Sequence, residues 1–243
     1  MRERADKVIF SQGLSKSRSE AQALIDQGLV WVEGKPIVSR HAKIETNTKI
    51  HIADHPAYVS RGAVKLAAAL EHFHIAPHGL IALDIGASTG GFSEILLRQG
   101  IRKVYAIDVG ENQLAPSLRA NPSLLYYEKI NARDLTPALI PEKIDIIVCD
   151  VSFISLKLAL PPALLMAASQ AHLIALIKPQ FEVGKEAIGK KGIVRDPILH
   201  HQVCADISQW LAQKGWDVKG LMESPILGGS GNKEFLIAAK KAI

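Results

Sequence analysis

The pattern of apolar and polar residues changes once along this chain, and the change divides the chain into two parts. Residues 17–28 run from a serine that can cap a helix, through apolar positions at helical spacing, to a terminating glycine. Two short strands follow, one at Leu29–Val32 and one ending at Ile52. The pattern predicts a small α+β domain over residues 1–55, which ends in the polar linker ADHP.

Nearly continuous apolar strands alternate with helices through residues 56–243. Five strands lie in LIALDIG, KVYAIDV, LLYYEKI, IDIIVCDV and AHLIALIKP, and a final pair lies around Val218 and Phe235. Apolar strands separated by helices are typical of a parallel sheet that is covered on both faces. We therefore expect an α/β domain with a doubly wound, mostly parallel, Rossmann-like sheet.

The segment LDIGASTGGF carries the first sign of a ligand. Its first acid and glycine close a strand, and two further glycines open a helix, an arrangement that lets a backbone approach a ligand at the helix N-terminus. Asp108 ends the next strand, where a carboxylate can accept hydrogen bonds from ribose hydroxyls. The spacing differs from the G-x-G-x-x-G of nicotinamide sites, and S-adenosylmethionine suits it best. The alternative is a structural turn with a loop acid. The predicted cofactor contacts are Asp84, Gly86, Ala87, Ser88, Gly90, Gly91, Phe92, Asp108, Val109 and Asp134.

Charged residues also end the fourth and fifth strands of this domain. Asp150 follows one and Lys178 the other, and a cation at the end of a buried strand costs free energy unless something uses it. The carboxyl ends of neighbouring parallel strands form the ligand crevice, so the two side chains can meet there. Lys65 and Glu234 could converge on the same place. Taken singly, each of the four can also be an ordinary surface or salt-bridging residue.

Composition and charge narrow the class of protein. Hydrophobic residues make up 48% of the chain, which is enough for a proper core. The net charge is +5, and residues 1–52 hold nine Lys/Arg against six Asp/Glu, which favours a polyanionic partner over a merely solvated basic face. The two cysteines and nine histidines show no metal-site spacing, so we expect no metal. No signal peptide or membrane-length apolar run is evident, and we expect a cytoplasmic protein without a membrane partner.

Five motifs in this order, RGAVKL, LDIGASTGGF, CDVSF, KPQFEVGK and GNKEF, resemble the TlyA family of ribosomal RNA 2′-O-methyltransferases, which are also known as haemolysins. The resemblance implies a methyltransferase sheet whose last strand is antiparallel, and an FtsJ-like catalytic tetrad at Lys65, Asp150, Lys178 and Glu234. It also implies that residues 1–55 adopt the RNA-binding fold named after small-subunit ribosomal protein four. On that likeness the candidate RNA contacts are Lys16, Ser17, Arg18 and Lys35.

A glycine-containing loop, VGKEAIGKKGIVRD at residues 183–196, adds further cations. Lys185, Lys190 and Lys191 suit a lid on an RNA backbone, although a merely mobile loop explains the composition nearly as well. The implied partner is ribosomal RNA of the small subunit, the large subunit or both. The oligomeric state stays open, and the sequence is compatible with a monomer.

The implied reaction agrees with the chemistry of these side chains. A ribose 2′-hydroxyl is a poor nucleophile that must be aligned and must lose its proton, and Lys178 could take that proton or only orient the oxygen. Val151 and Ser152 stand where an amino-group methyltransferase would show a Pro-Pro pair. Cys149 points to the opposite face of its strand from Asp150, which argues against pyrimidine carbon methylation. The rival hypotheses are a cytolytic haemolysin and a non-catalytic RNA-binding assembly factor. Family likeness suggests cytidine as the modified nucleotide.

Overall fold

The computed structural model describes residues 1–37, 40, 42–53, 58–189 and 192–242, which form a small N-terminal α+β part and a large α/β part. Each part has its own hydrophobic core. The predicted boundary at residues 55 and 56 and most of the ADHP linker lie outside the described residues. The exact boundary between the domains therefore stays a prediction.

Two helices and five short strands make up the N-terminal part, counting the residues described before the linker. They are β1 (Arg2–Arg4), α1 (Ala5–Ser11), α2 (Arg18–Asp26), β2 (Val30–Val32), β3 (Lys35–Pro36), β4 (Lys43–Glu45) and β5 (Ile50–Ile52). β1 pairs with β4, and β3, β2 and β5 form a second antiparallel sheet. The sequence pattern predicted α2, β2 and β5 but missed β1, α1, β3 and β4, because elements this short contain too few apolar repeats to show a period.

A fully buried carboxylate, that of Asp6, ties α1 to α2. Arg4 donates to both of its oxygens at 2.9 Å, and Arg18 and Gln22 donate to Oδ2 at 2.9 and 2.7 Å. Burial alone would raise the pKa of Asp6, but these hydrogen bonds outweigh it and hold the pKa well below its usual range. The ionised carboxylate thereby fixes two arginines at the surface of the N-terminal part.

The α/β part contains the remaining helices and strands, which match the predicted alternation. They are α3 (Gly62–His72), β6 (Ile81–Ile85), α4 (Gly91–Arg98), β7 (Lys103–Ile107), α5 (Pro116–Arg119), β8 (Leu124–Tyr127), β9 (Ile144–Cys149), α6 (Leu156–Ala159), α7 (Pro161–Met166), β10 (Ala167–Ile177), α8 (Pro179–Glu182), α9 (Pro197–Gln213), β11 (Trp216–Glu223) and β12 (Phe235–Lys241). The predicted fifth strand began at Ala171. β10 begins four residues earlier, through a polar stretch whose register with β9 shifts before His172.

In the described residues, seven strands form one sheet in the order β11-β12-β10-β9-β6-β7-β8. All neighbours from β10 to β8 are parallel, and β12 runs antiparallel between β10 and β11. This confirms the doubly wound sheet and its antiparallel last strand. Because Ile177 pairs with Phe235, the start of β12 lies beside the end of β10. The antiparallel strand thus brings Glu234 to the edge where the parallel strands end.

Two apolar clusters pack on the two faces of this sheet. Cys149 is buried in one of them, as expected from its position on β9. Burial raises the pKa of its thiol. Within the parts of the chain that the structure describes, no helix has the length and apolar character to span a membrane.

The Asp6 cluster makes a first prediction. Asp6→Asn should lower the free energy of unfolding by about 1–3 kcal/mol, the scale of hydrogen bonds to a charged group, as measured by hydrogen exchange of amides in α1 and α2. Since the folded-state pKa lies below the unfolded value of about 3.9, the stabilisation is present above about pH 4 and is lost as the pH falls further. The variant should lack that acid sensitivity.

Glu3→Gln is the matched control, because it breaks the exposed Lys7–Glu3 pair, whose atoms are 2.9 Å apart and which joins β1 to the start of α1. Exposed pairs contribute little, so it should cost less than about 0.5 kcal/mol. Equal losses in both variants would show that Asp6 is not the element that joins the helices.

Candidate active site

A cavity of about 600 Å³ opens at the carboxyl edge of the sheet. Its walls come from the start of α3, the loop between β6 and α4, the ends of β9 and β10, and the loop that precedes β12. In chain order the sheet turns back between β6 and β9, and open α/β sheets bind ligands at such a point. The four predicted catalytic residues, Lys65, Asp150, Lys178 and Glu234, all line this one cavity.

One wall carries the pair formed by Lys65 and Glu234. Lys65 Nζ donates to Glu234 Oε2 at 2.6 Å, and the two residues are only 6% and 3% exposed. Gly228 lies so close to the carboxylate that a side chain there would overlap Glu234 Oε1. The loop before β12 is therefore packed around this pair, which is held in place rather than free to reach solvent.

The cavity is also lined by Lys178 and Asp150. Lys178 Nζ lies 2.6 Å from Asp150 Oδ1 and donates to Ser152 Oγ at 2.8 Å. Lys178 is 9% exposed, whereas Ser152 is exposed at the cavity rim. The amino group thus contacts an ion-pair partner and a hydrogen-bond acceptor.

The predicted cofactor residues divide into two groups. Gly86, Ala87, Ser88, Gly91 and Phe92 line the cavity, together with Thr89, which the sequence analysis left out. The others, Asp84, Gly90, Asp108, Val109 and Asp134, do not.

Protein contacts account for the glycines of this loop. Gly86 has φ +82°, and a Cβ there would lie 2.6 Å from the backbone oxygen of Asp150. Gly90 has φ +95°, and a Cβ there would overlap Leu118 and Leu114, while one on Gly91 would overlap Ser60. The sequence interpretation assigned these glycines to ligand access. The structure adds the reason that Asp150 after β9, Leu118 of α5 and the start of α3 pack directly on their backbones.

Asp108 organises the loop from the end of β7. Its Oδ2 accepts from Ser88 N at 2.7 Å, and its Oδ1 accepts from Gly110 N at 2.6 Å. Ser88 has φ +48°, a left-handed conformation that a residue with a side chain rarely adopts, so the hydrogen bond holds a strained turn. Val109 beside it is 66% exposed, and Asp134 is exposed in a 3-10 turn at Ala132–Asp134.

Asp84 lies beneath the loop and is fully buried. It accepts from Ser93 Oγ at 2.7 Å. Burial raises its pKa to about 7, while the hydrogen bond from Ser93 opposes the shift and the charge of Asp150 adds to it. Asp84 therefore supports the first turn of α4 from inside the protein.

Two aromatic residues at the rim were quoted in motifs but not recognised as site residues. Phe153 is 91% exposed with φ +66°, and its ring centroid lies 5.1 Å from that of Phe181. A bulky residue in the left-handed region is a rare conformation of the kind that clusters at functional sites. Arg61 and Asn232 also line the cavity and were missed. Since polar and aromatic residues are common in loops, only their place within the five motifs could have marked them.

Comparison with known proteins identifies the family. Residues 58–241 match the model of the FtsJ-like methyltransferases, and residues 3–45 match that of the S4 domain. The chain is 42% identical over 238 residues to the 16S/23S rRNA (cytidine-2′-O)-methyltransferase TlyA of Mycobacterium tuberculosis, covering 97% of this chain and 89% of that protein. The chain belongs to the TlyA family of FtsJ-like methyltransferases.

Other TlyA-family relatives carry a different name. Hemolysin A of Brachyspira hyodysenteriae is 38% identical, with 96% of this chain and 98% of that protein covered. A solved structure, named "Putative hemolysin from Streptococcus thermophilus", has a TM-score of 0.76 at 39% identity and covers 99% of this chain and 89% of that one. The resemblance predicted from the sequence motifs is thus confirmed for both parts of this chain.

The predicted RNA contacts differ in their exposure and in their hydrogen-bond partners. Ser17 caps α2 by accepting from Glu20 N at 3.1 Å, and Lys16 beside it is exposed. Arg18 is 45% exposed at its side chain, although one of its nitrogens is held by Asp6. Lys190 and Lys191 lie outside the described residues, as do the side chains of Lys35 and Lys185.

The loop packing makes a second prediction. Gly86→Ala should lower the free energy of unfolding by about 3 kcal/mol or more, because about 1–2 kcal/mol of left-handed strain adds to an overlap with the backbone of Asp150. Gly79→Ala is the control, since Gly79 has φ +74° but no atom lies within 4 Å of the place that its Cβ would take. Urea unfolding of both variants measures the difference. Similar losses would mean that strain alone, and not the contact with Asp150, requires a glycine at residue 86.

Proposed function

We propose that this chain is an S-adenosylmethionine-dependent enzyme that methylates the 2′-hydroxyl of cytidine in ribosomal RNA. One observation carries the proposal: two lysine–carboxylate pairs, Lys65–Glu234 and Lys178–Asp150, lie on the walls of one cavity beside the Gly86–Thr89 loop. The name of the Mycobacterium tuberculosis relative supports the nucleotide and the type of RNA. Ribosomal RNA as substrate places the reaction in the cytoplasm.

The residues present suit S-adenosylmethionine. A cavity of about 600 Å³ falls in the range of about 300–1,000 Å³ that is usual for sites of small molecules and cofactors. We propose that the backbone of Gly86–Thr89 holds the cofactor, with Asp108, Val109 and Asp134 at its nucleoside end. When bound, S-adenosylmethionine supplies an electrophilic methyl group.

The side chains around the cavity suit the handling of a hydroxyl group. Lys178 Nζ is oriented by Asp150 and Ser152 and can accept the 2′-proton when neutral, or donate a hydrogen bond to the 2′-oxygen when charged. The Lys65–Glu234 pair is already neutralised internally, so it can position the ribose without adding net charge. Lys65, Glu234 and Lys178 are nearly buried, so their polar contacts are stronger than the same contacts in bulk water.

The rim suits a nucleotide. The rings of Phe153 and Phe181 give an exposed aromatic surface on which a base can stack, a contact worth about 1–3 kcal/mol per base. In the N-terminal part, Lys16 and Arg18 present cations to a phosphate backbone, which a sequence-independent affinity for RNA requires. We propose that this part supplies RNA affinity and that the α/β part supplies the chemistry.

The name of the Brachyspira hyodysenteriae relative keeps a cytolytic function as an alternative. A cavity with four nearly buried, mutually neutralised charges costs desolvation free energy, and a catalytic site explains that cost whereas a cytolysin does not require it. A non-catalytic RNA-binding factor would likewise have no need of Lys178 at the cavity wall. The methyl-transfer assay below separates these alternatives.

Asp108 makes a prediction about the cofactor. Asp108→Ala should weaken S-adenosylmethionine binding by about 1–3 kcal/mol, since the backbone N–H groups of Ser88 and Gly110 lose their acceptor. Isothermal titration calorimetry on the full chain measures the affinity. Asp145→Ala is the matched control, because Asp145 also accepts from a backbone N–H, that of Ile81 at 2.9 Å, but at the opposite edge of the sheet. Unchanged affinity in Asp108→Ala would mean that the cofactor site is misplaced.

Lys178 makes the prediction that tests the reaction. Lys178→Ala should lower the methyl-transfer rate by at least ~100-fold, the scale of lost proton-transfer catalysis, with little change in S-adenosylmethionine affinity. Lys178→Arg should not restore it, because a guanidinium stays protonated and has a different shape. Asp150→Ala should be nearly as damaging, and the double variant little worse than either single one. The measurement is single-turnover transfer of labelled methyl to ribosomal subunits, with mass spectrometry of the product nucleotide.

Lys157→Ala is the control, because it breaks an exposed pair with Asp206, and neither of these residues lines the cavity. It should leave the rate unchanged. Near-normal turnover in a folded Lys178→Ala protein would refute the catalytic assignment, and a wild-type chain that transfers no methyl to either subunit would refute the proposed function itself.

A further inference from the structure

Ser152 contacts Lys178 directly and belongs to neither of the two lysine–carboxylate pairs. We propose that Ser152 is a positioning residue for Lys178: its hydroxyl oxygen accepts the hydrogen bond that orients the amino group toward the substrate hydroxyl. The inference rests on the proposed function and adds to it the residue that orients the lysine.

The contacts of the lysine nitrogen carry the inference. Lys178 Nζ donates a hydrogen bond to Ser152 Oγ at 2.8 Å. It also lies 2.6 Å from Asp150 Oδ1, but that contact is an ion pair without hydrogen-bond geometry. An ion pair supplies attraction, whereas a hydrogen bond also has a preferred direction. The hydrogen bond to Ser152 therefore sets the orientation of the amino group.

Asp150 alone cannot set that orientation. A lysine side chain has a flexible four-carbon stem and rotatable donors, so an ion pair leaves the direction of its N–H bonds open. The hydrogen bond to Ser152 Oγ restricts that rotation. The other carboxylate on the cavity walls, that of Glu234, accepts from Lys65 at 2.6 Å and is committed to that contact.

The chain that follows β9 brings both side chains to the same nitrogen. Asp150 and Ser152 come directly after the end of the strand at Cys149 and are two residues apart. Phe153 then turns the chain with its φ of +66°. The turn directly follows Ser152, at the cavity rim.

The first experiment measures catalysis. With saturating S-adenosylmethionine and ribosomal subunits, Ser152→Ala should lower the single-turnover methylation rate by about 10-fold or more, since loss of alignment affects the chemical step. The affinities for cofactor and RNA should stay within about twofold. Ser152→Thr, which keeps the hydroxyl, should restore most of the rate. Ser208→Ala, which removes a hydroxyl on α9 that donates to Cys204 O at 2.7 Å, should behave as wild type.

The second experiment needs no substrate and therefore stands even if the proposed reaction is wrong. Trace acetic anhydride, with mass spectrometry of the Lys178 peptide, reports how readily the amino group reacts. Without the serine hydroxyl, Lys178 Nζ loses its hydrogen-bond acceptor. The amino group should therefore react with the anhydride about threefold faster or more in Ser152→Ala than in wild type or Ser152→Thr. Unchanged labelling in Ser152→Ala overturns the inference. So does a methylation rate that is normal in Ser152→Ala, or equally low in the alanine and threonine variants.

Discussion

Two lysines that are almost buried beside one cavity impose the main constraint on this structure. An ammonium group can be removed from water only if carboxylates and further acceptors take over its hydrogen bonds, so Lys65 and Lys178 each require a partner at close range. The sheet provides both partners. Asp150 follows a parallel strand next to that of Lys178, and Glu234 precedes an antiparallel strand on its other side. Without the reversed direction of β12, the carboxylate of Glu234 would lie at the far edge of the sheet from Lys65.

Much of this arrangement could be predicted from the sequence. Apolar strands that each end in a charged residue or a glycine indicate a parallel sheet whose functional groups share one edge, and the motifs supplied the family. The sequence could not show that the tetrad divides into two pairs, because pairing depends on distances between strands that are far apart in the chain. It also gave no sign of Ser152 as a partner of Lys178. A serine two residues after an acid is common, and only the turn at Phe153 fixes where its hydroxyl lies.

The glycines of the loop between β6 and α4 are required for reasons that the sequence motif alone does not show. Positive φ values at Gly86 and Gly90 are a property of the turn, but contacts with Asp150, Leu114 and Leu118 also exclude side chains there. One backbone segment thus meets two requirements, a tight approach to its neighbours and an open face toward the cavity. Because Gly86 packs against the backbone of Asp150, the loop between β6 and α4 is in direct contact with the residue that pairs with Lys178.

The N-terminal part shows the same requirement that a buried charge be paired with groups of opposite charge. Asp6 is a buried acid that holds Arg4 and Arg18, just as Asp150 holds Lys178, but here the remaining guanidinium nitrogens face solvent. An arginine that is already held in one conformation loses less conformational entropy when it binds a phosphate, since its five donors lie in a rigid plane. Asp6 offsets the charge of one arginine. The cluster therefore holds its arginines in order but carries less net positive charge than two unpaired arginines would. RNA affinity in this part therefore depends on orientation as well as on the excess of cations that the composition shows.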